Sequence, residues 1–545
     1  MTQRRPGKKR RRRAPPATDA LPGALRDPTR EFQARWLPEP DLLFGRGHRC
    51  PDPKAGLTLF GPFDRDDIGR PQRIRLGVVG TGHTIDLLKH WIERSTREVR
   101  PLRLTRTAGG TREELVDPIL HTPFPGMAEA FAVDVALTDS LSEMLQPAEV
   151  AAVERTPLFE PRVTRLVDLV VHRVRLLAEK SSRPDVIVCA LPTSLRLACT
   201  HPTQHQRRSA LHRTLGERIR ETLRADARSG QSNLFDLASL HGIDLDAVEA
   251  EREVVVFHSG LKARAMEFGI PTQLIWEGTL EGTAFVEDAA TRAWNFWTGV
   301  YYKAGGVPWR VRGLESGTCY VGVSIYRGRE KGTFHSAVAQ AFSDKGEGLV
   351  LRSEPFDAPQ DRLGNPHLTQ ALAAGLVRQV IEAYRQHRGH LPARVVVHKW
   401  QRYWDEEQAG FEDALQSLGI GQYDLVALGS RGLRFFRAGS EPPLRGTMIG
   451  LGARNALLYT RGYIPYLERY PGLRVPRPVE LTEHHGSAPL EQLCREILAL
   501  TKMDWNSANF ASKAPITTEF ADDVGKILLE VPTATTPQQS YRFYM

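Results

Sequence analysis

Phe257–Leu280 reads FHSGLKARAMEFGIPTQLIWEGTL, and it follows the apolar run EREVVV. The run reads as a buried strand that ends in open space. Leu261, Ala265 and Phe268 then give a short helix its core side. His258 and Lys262 are four residues apart, so they share another face of that helix. Gln273 returns on the next strand, after the break Gly269–Ile270–Pro271. Three groups able to donate hydrogen bonds thus converge near a strand end and a helix N-terminus, which is where an anion is stabilised. A wet surface helix carrying an ordinary lysine is the bland alternative. FWTGVYYKAGGVPWR adds a fourth member, Lys303, at a helix end before a Gly-Gly turn.

Outward from this stretch the chain alternates. IRLGVVGT, DVIVCALP, EREVVVF and TQLIWE are apolar strands, and IDLLKHWIERS and VTRLVDLVVHRVRLLAEK are amphipathic helices between them. Strands of four to eight residues separated by helices predict a parallel sheet covered on both faces, over about residues 75–305. Near residue 317 the pattern changes. TCYVGVSIYRG, FHSAVAQAFSD and GEGLVLRSEPF follow one another as an antiparallel meander, with turns at Gly328–Lys331 and Lys345–Gly346. Helix, strand, helix and strand come next (LTQALAAGLVRQVIEAYRQH, ARVVVHK, DEEQAGFEDALQSL, DLVALGS). That order is the one found in the ribonuclease H fold. The fold class is α/β throughout.

Length and composition set limits. A chain of 545 residues exceeds one ordinary core, so two or more domains are expected. The net charge is +9, but MTQRRPGKKRRRRAPP alone holds eight Lys or Arg and no acid. Residues 1–35 therefore read as a disordered basic tail, and the remaining body is close to neutral. Any nucleic-acid groove must be a local patch. Residues 36–74, rich in Pro, Gly and Asp, read as an extended segment with turns and little helix. The five cysteines show no metal spacing, which fits reduced thiols in the cytoplasm and no zinc site. No run of eighteen apolar residues exists, and the N-terminus has no apolar core of a secretory signal, so no membrane partner is expected.

GVVGTGH at Gly77–His83 invites a dinucleotide reading, but the third glycine position is Ile85. A tight turn after a strand is the better account. No GxxxxGK[ST] loop is present, so a nucleotide-triphosphate site is unsupported.

His258, Lys262, Gln273 in PTQLI, and Lys303 before AGGVP resemble the 5′-phosphate pocket of the MID domain of Argonaute proteins, with His258 in the place of a tyrosine. LPEPDLLFG, DPKAGLTLFGPFD, FPGMAEAF, TCYVGVSIY, RVVVHKW, LTKMDWN and PITTEFADDVG, in that order, resemble the short prokaryotic Argonautes from about residue 37 to the end. The resemblance implies a Rossmann-like MID domain at 75–305 followed by a ribonuclease H-like PIWI domain at 306–545. It implies an RNA guide, a complementary single-stranded DNA target, and stacking of the first base on His258.

Two-metal cleavage needs carboxylates that hold two cations about 4 Å apart. The positions matching the family's metal-binding aspartates are Ser324 and Trp400, and the glutamate position is near His367. Asp522 matches a fourth place, but one carboxylate cannot hold two metals. The expected PIWI domain is therefore an inactive binding surface. The alternative is an active, metal-dependent guided nuclease using displaced carboxylates such as Asp344, Glu347 and Asp522. Lys399, Arg445 and Lys502 are candidate backbone contacts in the nucleic-acid channel. The Met545 carboxylate, by the same resemblance, helps hold a Mg²⁺ on the guide phosphates. A separate APAZ-bearing effector protein, a TIR or sirtuin-like NADase or a nuclease, is the implied partner, acting in defence against plasmids or phage.

Overall fold

The computed structural model describes residues 34–107, 110–116, 121–199, 256–282, 287–327, 334–342, 348–353, 356–360, 365–430, 432–436, 439, 441–472, 475–531 and 537–545. Residues 1–33 of the basic tail, the segment 251–255, both predicted meander turns, Asp344 and Glu347 lie outside these residues, while the tail's last two residues belong to the strand Ala34–Trp36.

Four strands, β1 (Arg73–Gly80), β2 (Asp134–Met144), β3 (Val186–Leu191) and β4 (Thr272–Trp276), pair in the order β2-β1-β3-β4. Every pairing is parallel. In β3, Val186, Val188 and Ala190 enter one core, while Ile187, Cys189 and Leu191 enter another. That alternation explains the unbroken apolar run: both faces of the sheet are covered. Helices α1 (Gly82–Ser95) and α4 (Ala289–Lys303) supply one core, and α2 (Phe159–Ala178) and α3 (Val256–Ala265) supply the other. The run EREVVVF departs from expectation. Val256 is already helical, and Phe257 is buried in the core between α2 and α3. A short apolar run cannot tell a strand from a buried helix by periodicity alone.

The second sheet has nine strands among the described residues. β5 (Thr318–Arg327), β6 (Phe334–Phe342) and β7 (Gly348–Arg352) form the predicted meander. β8 (Arg394–Lys399) and β9 (Tyr423–Gly429) continue it in parallel from β5. β12 (Val479–Gly486), β11 (Ala456–Leu458), β10 (Thr447–Gly450) and the strand Ala34–Trp36 complete it. Helices α5 (Gln370–Arg388) and α6 (Asp405–Ser417) cover one face, while α7 (Leu490–Leu500) and α8 (Ile516–Leu528) cover the other.

The segment 36–74 is more structured than its composition suggested. It holds a helix, Pro53–Phe60, capped by Asp52, whose Oδ1 accepts the N–H groups of Lys54 and Ala55. An Asp-Pro start is a readable helix signal. The segment is also tied to the large sheet. Glu39 accepts from Arg445 Nε through Oε2 and from Lys502 Nζ through Oε1, both at 2.8 Å. Trp36 Nε1 donates to Arg445 O at 3.0 Å. Asp64 accepts from Tyr301 Oη at 2.7 Å and from Val307 N at 2.8 Å.

Burial alone would raise the Glu39 carboxyl, but Arg445 and Lys502 outweigh it and hold it below its ordinary value. Glu39→Ala leaves two buried cations without their shared carboxylate. It is expected to lower stability by about 3–5 kcal/mol in urea denaturation at neutral pH. In the native protein this contribution is complete above the ordinary glutamate pKa, about 4.3, and is lost as pH falls through the lowered native value. An unchanged urea midpoint in the variant would contradict the role given to Glu39.

Candidate nucleic-acid site

The helix of the opening stretch begins at Val256, not after Phe257, and this places His258 and Lys262 on its inner side. Lys262 is 1% exposed. Its Nζ donates to the main-chain oxygens of Thr272 and Met545. Lys303, at the end of α4, is equally buried, and its Nζ donates to Gln273 Oε1 at 2.6 Å. Gln273 Nε2 in turn donates to Leu274 O at 3.1 Å. His258, Lys262, Gln273 and Met545 line one cavity of about 290 Å³, and Lys303 joins it through Gln273. The four predicted residues therefore come together.

The electrostatics of the pocket are unusual. Among the described residues, neither lysine donates to a side-chain carboxylate. Burial pushes Lys262 down to about 7. Burial, and then the neighbouring Lys262, hold Lys303 well below the usual lysine range. Burial and the two lysines push His258 down to about 3, so its ring is neutral and free to stack.

Sequence reasoning passed over several neighbours. Trp276, inside the quoted stretch, lines the cavity, as do Asn506 and Tyr541. Asp504, in LTKMDWN, is pushed up to about 6 by burial. A single aspartate between apolar residues gave no signal of that burial.

Of the second predicted constellation, the structure brings Ser324 and Trp400 near each other. Val323 pairs with Lys399 in the parallel register of β5 and β8, so the next residues, Ser324 and Trp400, stand side by side. Trp400 packs against the core beneath α7 and α8. A Cβ on Gly322 would lie 1.6 Å from Thr517 O, so only glycine lets the first turn of α8 rest on the strand. His398 Nδ1 lies 2.8 Å from Thr517 Oγ1, and burial pushes the His398 imidazole down to about 3. Asp522 belongs to α8, but its side chain is outside the described set. His367 stacks on Trp404 at 4.1 Å and is not beside Ser324 by any described contact. Among the described residues, the one His and carboxylate group whose ligand atoms approach within 4.8 Å is His83, Glu277 and Glu281, at the end of the four-stranded sheet.

The three expected channel cations are corrected by the structure. Lys399 lies on the opposite sheet face from Trp400, because strand side chains alternate. It is buried, and its Nζ donates to Glu407 Oε1 at 2.6 Å and Oε2 at 2.7 Å. Arg445 and Lys502 are buried on Glu39, as described above. Arg445 NH2 also donates to Thr501 Oγ1 at 2.8 Å, and Lys502 Nζ to Pro51 O at 2.6 Å. All three are paired inside the protein, although Arg445 also lines a cavity beside the helix Pro53–Phe60. All five cysteines are buried and unpaired. No helix among the described residues is long and apolar enough to cross a membrane.

No family model matches the chain. It is 26% identical over 272 residues to the protein argonaute of Aquifex aeolicus, which covers 49% of this chain and 35% of that protein. It is 27% identical over 272 residues to the protein argonaute of Thermus thermophilus, covering 49% of this chain and 36% of that one. In structure it resembles Clostridium butyricum Argonaute bound to a guide DNA and a 19-mer target DNA, with TM-score 0.58 and 15% identity over 92% of this chain and 54% of the other. Drosophila Piwi gives a TM-score of 0.53 at 13% identity over 94% of this chain and 56% of the other. The chain thus spans little more than half the length of the solved structures and matches about a third of the curated relatives. Its fold is Argonaute-like.

Anion entry raises the pKa of both lysines, so binding takes up protons. Calorimetric titration with phosphate near pH 8, in buffers of different ionisation enthalpy, is expected to show net proton uptake of up to one per lysine. Affinity is expected to fall as the pH rises from about 6.5 to about 8.5. Proton release, or a flat profile, would contradict the picture of two depressed lysines.

Proposed function

We propose that this chain is a guide-directed nucleic-acid-binding protein of the Argonaute family, with a MID-like half that holds the 5′ end of the guide and a PIWI-like half that does not cut. The observation that carries the reading is the pair of buried lysines, Lys262 lining the cavity and Lys303 joined to it through Gln273, with no side-chain carboxylate hydrogen-bonded to either among the described residues. A terminal phosphate carries close to two charges and several acceptor oxygens. It would take the hydrogen bonds that now go to Gln273 and to main-chain oxygens. His258, neutral and lining the same cavity, would face the first base. The guide is proposed to be RNA and the target single-stranded DNA. Pairing would read sequence, while the protein reads phosphate and shape.

Mg²⁺ at the guide's 5′ end is part of the same proposal. Gln273 Oε1 and the main-chain oxygen of Met545 are hard donors suited to it. Both now accept from lysines. The ion would add positive charge against the guide phosphates.

The PIWI-like half is proposed to be inactive because a serine and a tryptophan stand where metal ligands are needed. Neither replaces an anionic oxygen ligand. A binder without a nuclease needs an output, and a separate APAZ-bearing effector protein, switched on by target binding, is the proposed partner. The setting is defence against plasmids or phage, in the cytoplasm.

Lys262→Ala with Lys303→Ala should weaken binding of a 5′-phosphorylated guide at least tenfold, at about 1.5–3 kcal/mol per charge-assisted hydrogen bond. The loss should be confined to the phosphate: a 5′-hydroxyl guide should bind wild type about as weakly as the phosphorylated guide binds the variant. With Mg²⁺ or Mn²⁺ present, the paired target should stay intact. A double variant that still prefers the 5′-phosphate moves the pocket elsewhere, and cleavage at one defined target bond ends the inactive reading.

Tagged chain recovered from its native host should carry a second, APAZ-bearing protein in a fixed ratio. Recovery of a fully protective, guide-loaded chain alone would remove the partner from the proposal.

A further inference from the structure

The turn Gly80–His83 carries an imidazole to the carboxyl ends of the parallel strands. Thr81 caps α1 by accepting from Thr84 N, and Thr84 Oγ1 donates to Ala190 O, near the end of β3, at 2.7 Å. The start of α1 is thereby pinned to β3, with His83 exposed in its first turn. On the other side of β3 in the sheet order, β4 ends at Trp276 and a short helix, Glu277–Glu281, follows at once. Glu277 and Glu281 are four residues apart and share a face of it. Arg292 of α4 fixes this helix, its NH1 donating to the main-chain oxygens of Thr279 and, at 3.4 Å, Leu280.

Glu277 is oriented from outside the group. Its Oε2 accepts from Thr193 N, in the helix after β3, at 2.7 Å, and its Oε1 faces His83 Nε2 at 3.2 Å. With metal bonds of about 2.0–2.1 Å the edge of a coordination tetrahedron is about 3.4 Å, so these two atoms stand at the separation a shared ion needs. A ligand atom of Glu281 lies within 4.8 Å of both, and that side chain is exposed and able to rotate inward. An imidazole facing two carboxylates is a mixed nitrogen and oxygen set, not a patch of acids. Imidazole nitrogen suits Zn²⁺ and its first-row neighbours, whereas Mg²⁺ and Ca²⁺ take oxygen throughout. The position has its own argument. The chain leaves β1 toward β2 and leaves β3 toward β4, at the opposite edge of the sheet. The carboxyl ends of β1 and β3 thus form a topological switch point, which is where open parallel sheets seat their ligands.

We infer that His83, Glu277 and Glu281 form a binding site for a divalent first-row transition ion of the Zn²⁺ type. Three protein ligands leave a fourth position to solvent. The ion ties the turn after β1 to the turn after β4 across the end of β3. None of the three residues lines the lysine pocket, and Gln273 and Glu277 are about 13 Å apart along β4 at about 3.3 Å per residue. The site is therefore separate from any ion on the guide phosphates and does not rest on the function proposed above. It contains no cysteine, so cysteine spacing gives no sign of it. The competing account is a plain ion pair between His83 and Glu277, which uses neither Glu281 nor a metal.

The test titrates the full chain, stripped with EDTA and free of nucleic acid, with Zn²⁺ in a calorimeter. Wild type should take up Zn²⁺ and melt at a higher temperature with it, as expected of a ligand that binds the folded state. His83→Ala and Glu281→Gln, both at exposed positions, should melt like wild type without metal and bind Zn²⁺ at least about tenfold more weakly. Even an outer-shell partner of a metal ligand is worth about 10–100-fold. An excess of Mg²⁺ should not displace the ion. If one variant fails to fold, the other carries the comparison, and Glu277 is left intact because it holds Thr193 N. A wild type that takes up no Zn²⁺, full affinity in a folded variant, or displacement by Mg²⁺ overturns the site and leaves the ion pair. Zn²⁺ held by the buried thiols would persist in both variants and counts as that same failure.

Discussion

Two buried ammonium groups, Lys262 and Lys303, are held close together with no side-chain carboxylate hydrogen-bonded to either among the described residues. Lys262 gives its hydrogen bonds to main-chain oxygens of Thr272 and Met545, and Lys303 gives one to the Gln273 amide. Burial holds both lysines below their ordinary values, and Lys262 lowers Lys303 further. Much of the fold serves this arrangement. The pocket takes a residue from α3, one from β4, one from the end of α4 and the main chain at Met545. The four-stranded sheet fixes the first three. Tyr541 and Phe543, buried against the core shared with α7 and α8, fix the last.

The larger sheet supplies a frame. Gly322 still lets α8 lie on β5, and the parallel register still sets the residues after Val323 and Lys399 side by side. These are packing constraints. They persist whether or not carboxylates occupy the positions, because the tight contact is made by Thr517 O and a glycine. Ser324 and Trp400, which follow these paired residues, carry no carboxylate.

Different parts of this were legible in the sequence to different degrees. The anion pocket was legible because its residues sit within a short local string, at helical spacing and a strand return, with Lys303 marked by its Gly-Gly turn. The meander and the helix–strand–helix–strand order of the larger sheet were legible from length and period. The strands β2, β10 and β11 were not, since β2 is half exposed along its length and the other two are only four and three residues long. EREVVVF misled because a short apolar run does not by its period tell a strand from a buried helix, and Val256 and Phe257 belong to α3. Lys399, Arg445 and Lys502 misled for a different reason. A lysine or arginine in sequence looks the same whether it faces solvent or a buried glutamate. Glu39 lies more than four hundred residues before Arg445, and Glu407 one helix start beyond Lys399. Only the closed fold shows that those charges are spent inside.

That internal use of charge bears on how the protein can bind a polyanion at all. Outside the basic tail the chain is near neutral, and three of its prominent cations are neutralised within the core. Binding cannot then rest on a broad positive field. It must rest on a few cations placed where a phosphate can reach them and where no carboxylate competes. Lys262 and Lys303 are the candidates for that role: each is a helix-borne lysine buried by its neighbours, with no side-chain carboxylate hydrogen-bonded to it among the described residues. A protein that concentrates affinity in such points gains register: a strand anchored at defined phosphates presents its bases in a fixed frame, ready for a complementary strand. Diffuse attraction would hold the strand without setting that frame, and pairing would then begin at no particular base.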